Sequence, residues 1–289
     1  MSGPSSPACF ADSALQCTAD VALNEQIARD TFVIRLEAPE VARRIVPGQF
    51  IMVRLPGADD PLLARPLALY DTALGSDGGP HAIDVGYLVV GKLTSRLARL
   101  RPKEQVELWG PLGNGFAPSQ ASHLIMVAGG IGQTPFLALA REALGQRTYG
   151  TGKRAASKVR RVTLCYGVRS VDYLAGLPDF EQLGVEVHIA TDDGSAGHKG
   201  FVTELLPALL DDRAGVEVVC CGPEKMMEKV AAITRAHNVR CHVSLETPMA
   251  CGIGICFSCV ARVDDGHGGW DYRRTCVEGP VFDAQHIHW

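Results

Sequence analysis

The sequence lacks any uninterrupted apolar segment long enough to cross a bilayer. Its most apolar stretch, Leu124–Leu139, is broken by three glycines and a proline, and it is shorter than the roughly 20 residues that a spanning helix needs. The N-terminus has neither the basic region nor the apolar core of a secretory signal. We therefore expect a cytoplasmic chain that does not enter a membrane.

An excess of charge of one sign is also missing. The 28 basic and 32 acidic residues leave a formal net charge of −4, which argues against binding to nucleic acid or to a membrane surface. No Gly-x-Ser-x-Gly elbow or His-Glu-x-x-His helix is present, so we expect no hydrolytic chemistry and no catalytic acid–base side chain. Apolar residues make up 46% of the 289 positions, enough for a sizeable core.

The ten cysteines are unevenly distributed along the chain. Six are scattered, mostly within or beside apolar runs, and are interpreted as small buried or free thiols: Cys9, Cys17, Cys165, Cys220, Cys221 and Cys241. The other four fall within 26 positions near the C-terminus. Such a cluster indicates a metal site rather than a disulfide scaffold.

The spacing within this cluster is specific. Four, two and sixteen residues separate its successive members, which are Cys251, Cys256, Cys259 and Cys276. This is the plant-type ferredoxin spacing for a 2Fe–2S cluster, and two intervening glycines free the backbone to approach the sulfurs. The alternative is a structural zinc site, which usually shows two Cys-x₂-Cys pairs where this region has one.

The pattern of apolar residues predicts three modules in sequence order. Short alternating runs separated by Pro, Gly and Asp predict a small antiparallel β-barrel in the first third. From Leu124 onward, buried strands alternate with glycine turns and helices, which predicts a doubly wound parallel sheet. We predict an N-terminal extension at 1–20, the barrel at 21–119, the α/β domain at 120–240 and a cysteine module at 241–289.

Two glycine turns follow strands of the predicted α/β domain. In MVAGGIGQTP, the candidates for approaching a nucleotide pyrophosphate are Gly129, Gly130, Gly132 and Thr134. The second turn is Cys221-Gly222-Pro223, at a strand end where open α/β sheets bind ligands. A packing turn is the alternative explanation of each. On the barrel, Arg65 beside Pro66 is a candidate phosphate clamp or an ordinary surface arginine.

Taken in order, these motifs resemble those of the ferredoxin–NADP reductase superfamily. The phrases MACGIG-x-C and GPVF around the last cysteine look more narrowly like the electron-transfer subunits of class 1B dihydroorotate dehydrogenases. The resemblance extends from about Val21 to Asp283. It implies an oxidoreductase with an FAD-binding barrel, an NAD-binding domain and a C-terminal 2Fe–2S cluster.

The resemblance also implies which residues bind each cofactor. The flavin motifs align with Arg65, Pro66, Leu67, Ala68, Tyr87, Leu88, Val89, Leu93 and Thr94. Two positions depart from the family pattern: Ala68 lacks the hydroxyl expected near the flavin N5, and Leu93 replaces a glycine beside the pyrophosphate. The glycine turns would bind NAD, and the cysteine quartet would bind the cluster.

Electron counting gives the cofactors an order. Nicotinamide exchanges a hydride and a 2Fe–2S cluster exchanges single electrons, so the flavin, which does both, stands between them. The resemblance implies a partner, the FMN-containing catalytic subunit that oxidises dihydroorotate in pyrimidine biosynthesis, in an assembly of two copies of each subunit. We predict an apolar docking face at Ile253, Ile255 and Phe257.

Two other functions are compatible with the motifs. The first is an NAD(P)H-dependent iron–sulfur flavoprotein reductase that serves a ferredoxin, an oxygenase or a sulfur-reducing partner. The second is a zinc-stabilised nucleotide-sensing module, which would be colourless and would contain no iron.

Overall fold

The computed structural model describes residues 10–57, 59–152, 154–210 and 215–289. Residues 1–9, with Cys9 and part of the predicted N-terminal extension, lie outside the described residues. The described chain forms a closed six-stranded barrel, a seven-stranded sheet and a two-stranded ribbon, which confirms the predicted fold class. Among the helices in these ranges, none is both long and apolar enough to cross a membrane.

The barrel is antiparallel throughout, in the order β1-β2-β5-β4-β3-β6. Its strands are β1 (Leu15–Ala28), β2 (Thr31–Glu37), β3 (Phe50–Arg54), β4 (Arg65–Leu74), β5 (Pro80–Leu88) and β6 (Gln105–Leu112). Two short helices, α1 (Pro39–Arg44) and α2 (Lys92–Leu97), lie between strands. Apolar residues from each strand face inward and form one core, because side chains alternate between the two faces of a strand.

The first strand begins earlier than we predicted. Residues 15–20 of β1 pair with residues 110–105 of β6, so they belong to the barrel rather than to an N-terminal extension. Many β1 side chains are polar and exposed, and only Ala19 and Val21 are buried, which explains why the sequence pattern did not reveal this strand.

The α/β domain has strand order β10-β9-β8-β7-β11-β12-β15. Its strands are β7 (His123–Gly129), β8 (Arg161–Val168), β9 (Glu186–Thr191), β10 (His198–Lys199), β11 (Val216–Cys221), β12 (Arg240–Ser244) and β15 (Val281–Asp283). The helices are α3 (Phe136–Ala143), α4 (Leu177–Gln182), α5 (Leu206–Leu209) and α6 (Glu224–Ala236). The first two pack on one face of the sheet and the last two on the other.

The cysteine module is built around the ribbon of β13 (Val260–Asp264) and β14 (Trp270–Arg274). It is not a separate unit, because β15 continues from it and pairs antiparallel with β12 of the large sheet. The predicted boundary between residues 240 and 241 falls inside β12. The module is therefore anchored to the α/β domain at both of its ends.

Buried polar contacts hold the barrel against the α/β domain. Asp71 on β4 accepts hydrogen bonds from the Tyr149 hydroxyl at 2.6 Å and from the Arg147 guanidinium at 3.1 Å. The neighbouring Tyr70 hydroxyl donates to Asp179 of α4 at 2.6 Å. A buried carboxylate with cationic and hydroxyl partners is costly to separate from them, so the two domains are fixed relative to each other.

Candidate functional site

The four clustered cysteines form two pairs. The Cys259 and Cys276 sulfurs are 3.1 Å apart and buried. Cys251 is half-buried and Cys256 is exposed, and four residues separate them in the chain. We call Cys259 and Cys276 the inner pair and Cys251 and Cys256 the outer pair. Two of the four predicted ligands are thus buried and in contact, and the other two lie nearer the solvent.

Local hydrogen bonds favour the thiolate form within each pair. The Ser258 hydroxyl lies 3.2 Å from the Cys256 sulfur and, with backbone donors, lowers the pKa of that thiol to about 6. In the inner pair, the hydrogen bond with Cys276 lowers the pKa of Cys259 to about 6. The same contact, together with burial, raises the pKa of Cys276. Thiolate is the form that binds metal.

Glycines give the segment 249–259, which we call the cysteine loop, its conformation. Gly252 and Gly254 have φ of +72° and +83°, values that side chains disfavour. A Cβ on Gly252 would lie 2.6 Å from Met52 Cγ, and one on Gly254 would lie 2.5 Å from Val277 Cγ2. These residues therefore permit both the turn and the close packing of the loop.

This donor set fits a binuclear iron centre. Such a centre takes four cysteine ligands, two for each iron, and the thiols are arranged as two pairs. A structural zinc site usually has two Cys-x₂-Cys pairs, whereas residues 249–289 contain one. The number and spacing of the thiols therefore favour iron over zinc.

The predicted flavin residues lie along one side of the barrel. Arg65 opens β4 with an exposed guanidinium that donates at 3.0 Å to the carbonyls of Leu63 and Ala64. It forms no salt bridge with any described residue, so its charge is available to a phosphate. Pro66, Ala68, Leu88 and Val89 are partly exposed.

Several of these predicted residues point into the barrel core instead. Leu67, Tyr87 and Leu93 are at most 7% exposed, and the Tyr87 hydroxyl donates to Asn24. The Thr94 hydroxyl is occupied by the backbone N–H groups of Val90 and Gly91. At these four positions, only the backbone remains to contact a cofactor.

Gly91 was missed by the sequence analysis. It precedes α2, and a Cβ at this position would meet nothing within 4 Å. The open space beside the Gly91 backbone suits a phosphate, and it lies two residues before Leu93, the position where the family pattern has glycine. A glycine two residues before the position where the family pattern has one was the feature of the sequence that could have indicated Gly91.

The turn after β7 packs against the turn after β11. A Cβ on Gly129 would lie 2.7 Å from Pro223 Cδ, and one on Gly132 would lie 2.3 Å from the Cys221 carbonyl oxygen. Gly130, with φ of +55°, faces open space. The strand order reverses between β7 and β11, which is where open α/β sheets bind nucleotides.

This turn also touches the barrel. Thr134 Cγ2 would be 2.4 Å from a Cβ on Gly86 of β5, and the Thr134 hydroxyl donates to the Ile131 carbonyl. Gln133, which lies between Ile131 and Thr134 in the chain, is fully buried, and its amide N and O have no hydrogen-bond partner among the described residues. Burial also raises the pKa of Cys221 to about 12, which keeps that thiol neutral.

The barrel contacts both the cysteine loop and the turn at residues 129–135 after β7, which we call the nucleotide turn. The inner pair packs with Phe50, Met52 and Ala64 of the barrel, and the Trp109 indole N–H donates to the Cys251 carbonyl at 3.0 Å. Phe50 is in turn the cross-strand partner of Ala68. The strand that contacts the inner pair is therefore the neighbour of β4, which carries the predicted flavin motif. Trp109 and Met52 were not predicted, because no motif marks them.

Comparison with protein families gives the same three parts. Residues 18–116 match an oxidoreductase FAD-binding domain, residues 126–232 an oxidoreductase NAD-binding domain, and residues 246–288 the iron–sulfur cluster binding domain of dihydroorotate dehydrogenase B. The cofactors of this chain are therefore FAD, NAD and an iron–sulfur cluster. The zinc alternative is not supported.

Individual relatives agree over most of the chain. The chain is 36% identical over 264 residues to the dihydroorotate dehydrogenase B (NAD(+)) electron transfer subunit of Desulforamulus reducens, covering 91% of this chain and 94% of the relative. It is 34% identical over 245 residues to the subunit of the same name in Clostridium perfringens, with 84% and 87% covered.

Solved structures share the fold. A NADH-dependent reduced ferredoxin–NADP oxidoreductase, studied for flavin-based electron bifurcation, superposes with a TM-score of 0.76 at 28% identity, over 94% of this chain and 90% of its own. A cytochrome P450 reductase of Amycolatopsis gives 0.64 at 25% identity, over 81% and 71%. From the three matching domains and the identity over nine-tenths of its length, the chain belongs to the family of dihydroorotate dehydrogenase B electron transfer subunits.

Proposed function

We propose that this chain carries electrons from the FMN-containing catalytic subunit of dihydroorotate dehydrogenase to NAD⁺, through a 2Fe–2S cluster and FAD, in pyrimidine biosynthesis. The observation that carries the proposal is that the barrel contacts both the inner cysteine pair and the nucleotide turn. A bound flavin supplies the exchange between one-electron and two-electron carriers. The chain itself supplies placement and insulation.

The proposal assigns a role to each group of residues. Cys251, Cys256, Cys259 and Cys276 bind the cluster. Arg65 holds a flavin phosphate, and the backbones of Pro66, Leu67, Ala68, Tyr87, Leu88, Val89, Leu93 and Thr94 line the rest of the flavin site, together with Gly91. The dinucleotide lies along Gly129, Gly130, Gly132 and Thr134, with Cys221, Gly222 and Pro223 on its other side. No side chain acts as an acid or base.

The predicted docking face is exposed. Ile253, Ile255 and Phe257 are 37%, 74% and 59% exposed, and they border the outer cysteine pair. On the barrel, the exposed Leu62 and Leu63 precede Ala64, which packs with the inner pair. Exposed apolar side chains grouped in this way mark a protein interface. We propose that the catalytic subunit docks here, beside the outer pair, in a cytoplasmic assembly of two copies of each subunit.

The decisive experiment adds dihydroorotate anaerobically to the co-expressed complex and records the visible spectrum. We expect the cluster and flavin absorbance to bleach, and to return when NAD⁺ is added. The isolated chain is the control, which NADH should bleach and dihydroorotate should not. If NADH bleaches the complex and dihydroorotate does not, the chain is a reductase for another acceptor. If the protein has no visible chromophore, the whole proposal fails.

A further inference from the structure

Arg274, the last residue of β14, makes an unusual set of contacts with the cysteine loop. Its Nη1 donates to the Gly254 carbonyl at 3.0 Å. Its guanidinium carbon lies 5.1 Å from the centre of the Phe257 ring, in a cation–π contact. One side chain therefore holds the loop at two points, one on each side of Cys256.

Arg274 is itself held in place by Glu278. Its Nε lies 3.2 Å from Glu278 Oε2, and its backbone N–H donates to the same oxygen at 2.8 Å. The Glu278 N–H donates back to the Arg274 carbonyl at 2.8 Å. Both side chains are about one-third exposed or less. Glu278 therefore both orients the Arg274 side chain and closes the turn that contains Cys276.

Gly254 connects this arrangement to the inner pair. It packs against Val277, the residue after Cys276, since a Cβ on Gly254 would lie 2.5 Å from Val277 Cγ2, and its carbonyl accepts from Arg274. The Gly254 backbone is therefore held beside the Cys276 sulfur. Gly254 has a φ of +83°, a backbone conformation that residues with a side chain rarely adopt. An N–H directed at a ligand sulfur stabilises the more negative, reduced state of an iron–sulfur centre and so raises its potential.

We propose that Arg274 is a positioning residue that sets the reduction potential of the iron–sulfur centre by fixing Gly254 against Cys276. The inference rests on the proposed cysteine ligands, which iron content and the paramagnetic signal test separately. The guanidinium charge adds to the effect because it also favours the reduced state.

Arg273 offers a matched control. It is the neighbouring residue, and it forms longer contacts with Asp271 at 3.5 Å and with Glu278 at 3.7 Å. It belongs to the opposite face of the ribbon, since Arg273 pairs with Ala261 and Arg274 with Val260. Replacing either arginine by glutamine removes one positive charge beside Glu278, but only Arg274→Gln removes the hydrogen bond to Gly254.

The experiment is a redox titration of the cluster in the co-expressed complex, followed by electron paramagnetic resonance. We expect Arg274→Gln to shift the one-electron equilibrium about tenfold toward the oxidised cluster, which lowers the potential by about 59 mV. Arg273→Gln should give less than half of that shift. Equal shifts in the two variants would mean that charge alone acts, and no shift in Arg274→Gln would also overturn the proposal.

A second variant keeps the proposal testable if the first one loses its cluster. If Arg274→Gln is purified without iron, Arg274→Lys replaces it, because lysine keeps the charge but cannot hold the Gly254 carbonyl and Glu278 together. We expect its potential to fall below that of Arg273→Gln. A potential equal to or above that of Arg273→Gln would count against the role of Arg274.

Discussion

The cysteine loop has an inner face that is buried against the barrel and an outer face that is exposed. On the inner face, Cys259 is 1% exposed and packs with Met52 and Leu112 of the barrel. On the outer face, Ile255 is 74% exposed. Apolar residues are present on both faces, but among the described residues the inner ones are packed in a core cluster, whereas Ile255 and Phe257 are mostly exposed. The difference indicates that the inner face belongs to the fold and the outer face to an interface.

The largest effect is expected from the inner cysteines. Cys259→Ser should abolish the cluster, because the inner iron would lose one of its two thiolates at a buried site that cannot recruit another ligand. Iron analysis and paramagnetic resonance of the purified chain measure the loss. Phe257→Ala, on the outer face, should keep its iron. A Cys259→Ser protein with full iron content would show that the inner pair does not bind the metal.

The next largest effect should come from Met52, which packs against Gly252 from the barrel side. Met52→Ala removes a fully buried side chain and should lower the free energy of unfolding by about 2–5 kcal/mol. Ile253→Ala is the outer-face control and should cost less than about 0.5 kcal/mol. Urea denaturation of both variants checks this. Similar losses would mean that the two faces contribute equally to the fold.

A charge on the outer face should affect assembly and leave the isolated chain intact. Ile255→Asp is expected to weaken binding to the catalytic subunit about 100-fold, since it places a carboxylate in an apolar interface. NADH-to-dye activity of the isolated chain should not change. Leu74→Asp is the control, because Leu74 is 53% exposed but ends β4 at the opposite end from Arg65. If Ile255→Asp still assembles normally, the catalytic subunit must bind to a different surface.

The smallest effect is expected from Ala68 on β4, the strand with the predicted flavin motif. Ala68→Ser restores the hydroxyl of the family pattern, and we expect it to raise the rate of flavin reduction by NADH about twofold to tenfold, or roughly 0.4–1.4 kcal/mol in the barrier. Stopped-flow absorbance gives this rate. Ala73→Ser, also half-buried on β4, is the control. If both substitutions change the rate equally, the hydroxyl at position 68 has no special role.

Most of the architecture was predictable from the chain alone. Strands β2 to β6 and the alternating strands and helices of the α/β domain have regular apolar periods, and these were predicted. Strand β1 was not, because Ala19 and Val21 are its only buried residues and the rest of its pattern is polar. The predicted division at residue 240 falls within β12. This strand pairs with β15, although 36 residues separate Ser244 from Val281. A pairing between segments so far apart in the chain leaves no local sequence pattern that could have indicated it.

The sequence by itself indicated the four proposed cluster ligands and the two glycine turns. Three of the four thiols lie within nine residues, so chain continuity alone brings them together, and their spacing is a local property. Only the tertiary structure decided which pair is inner, that Arg274 and Trp109 hold the loop, and that the barrel contacts both the cysteines and the nucleotide turn. These features depend on contacts between residues far apart in the chain, and such contacts exist only when the whole core has packed.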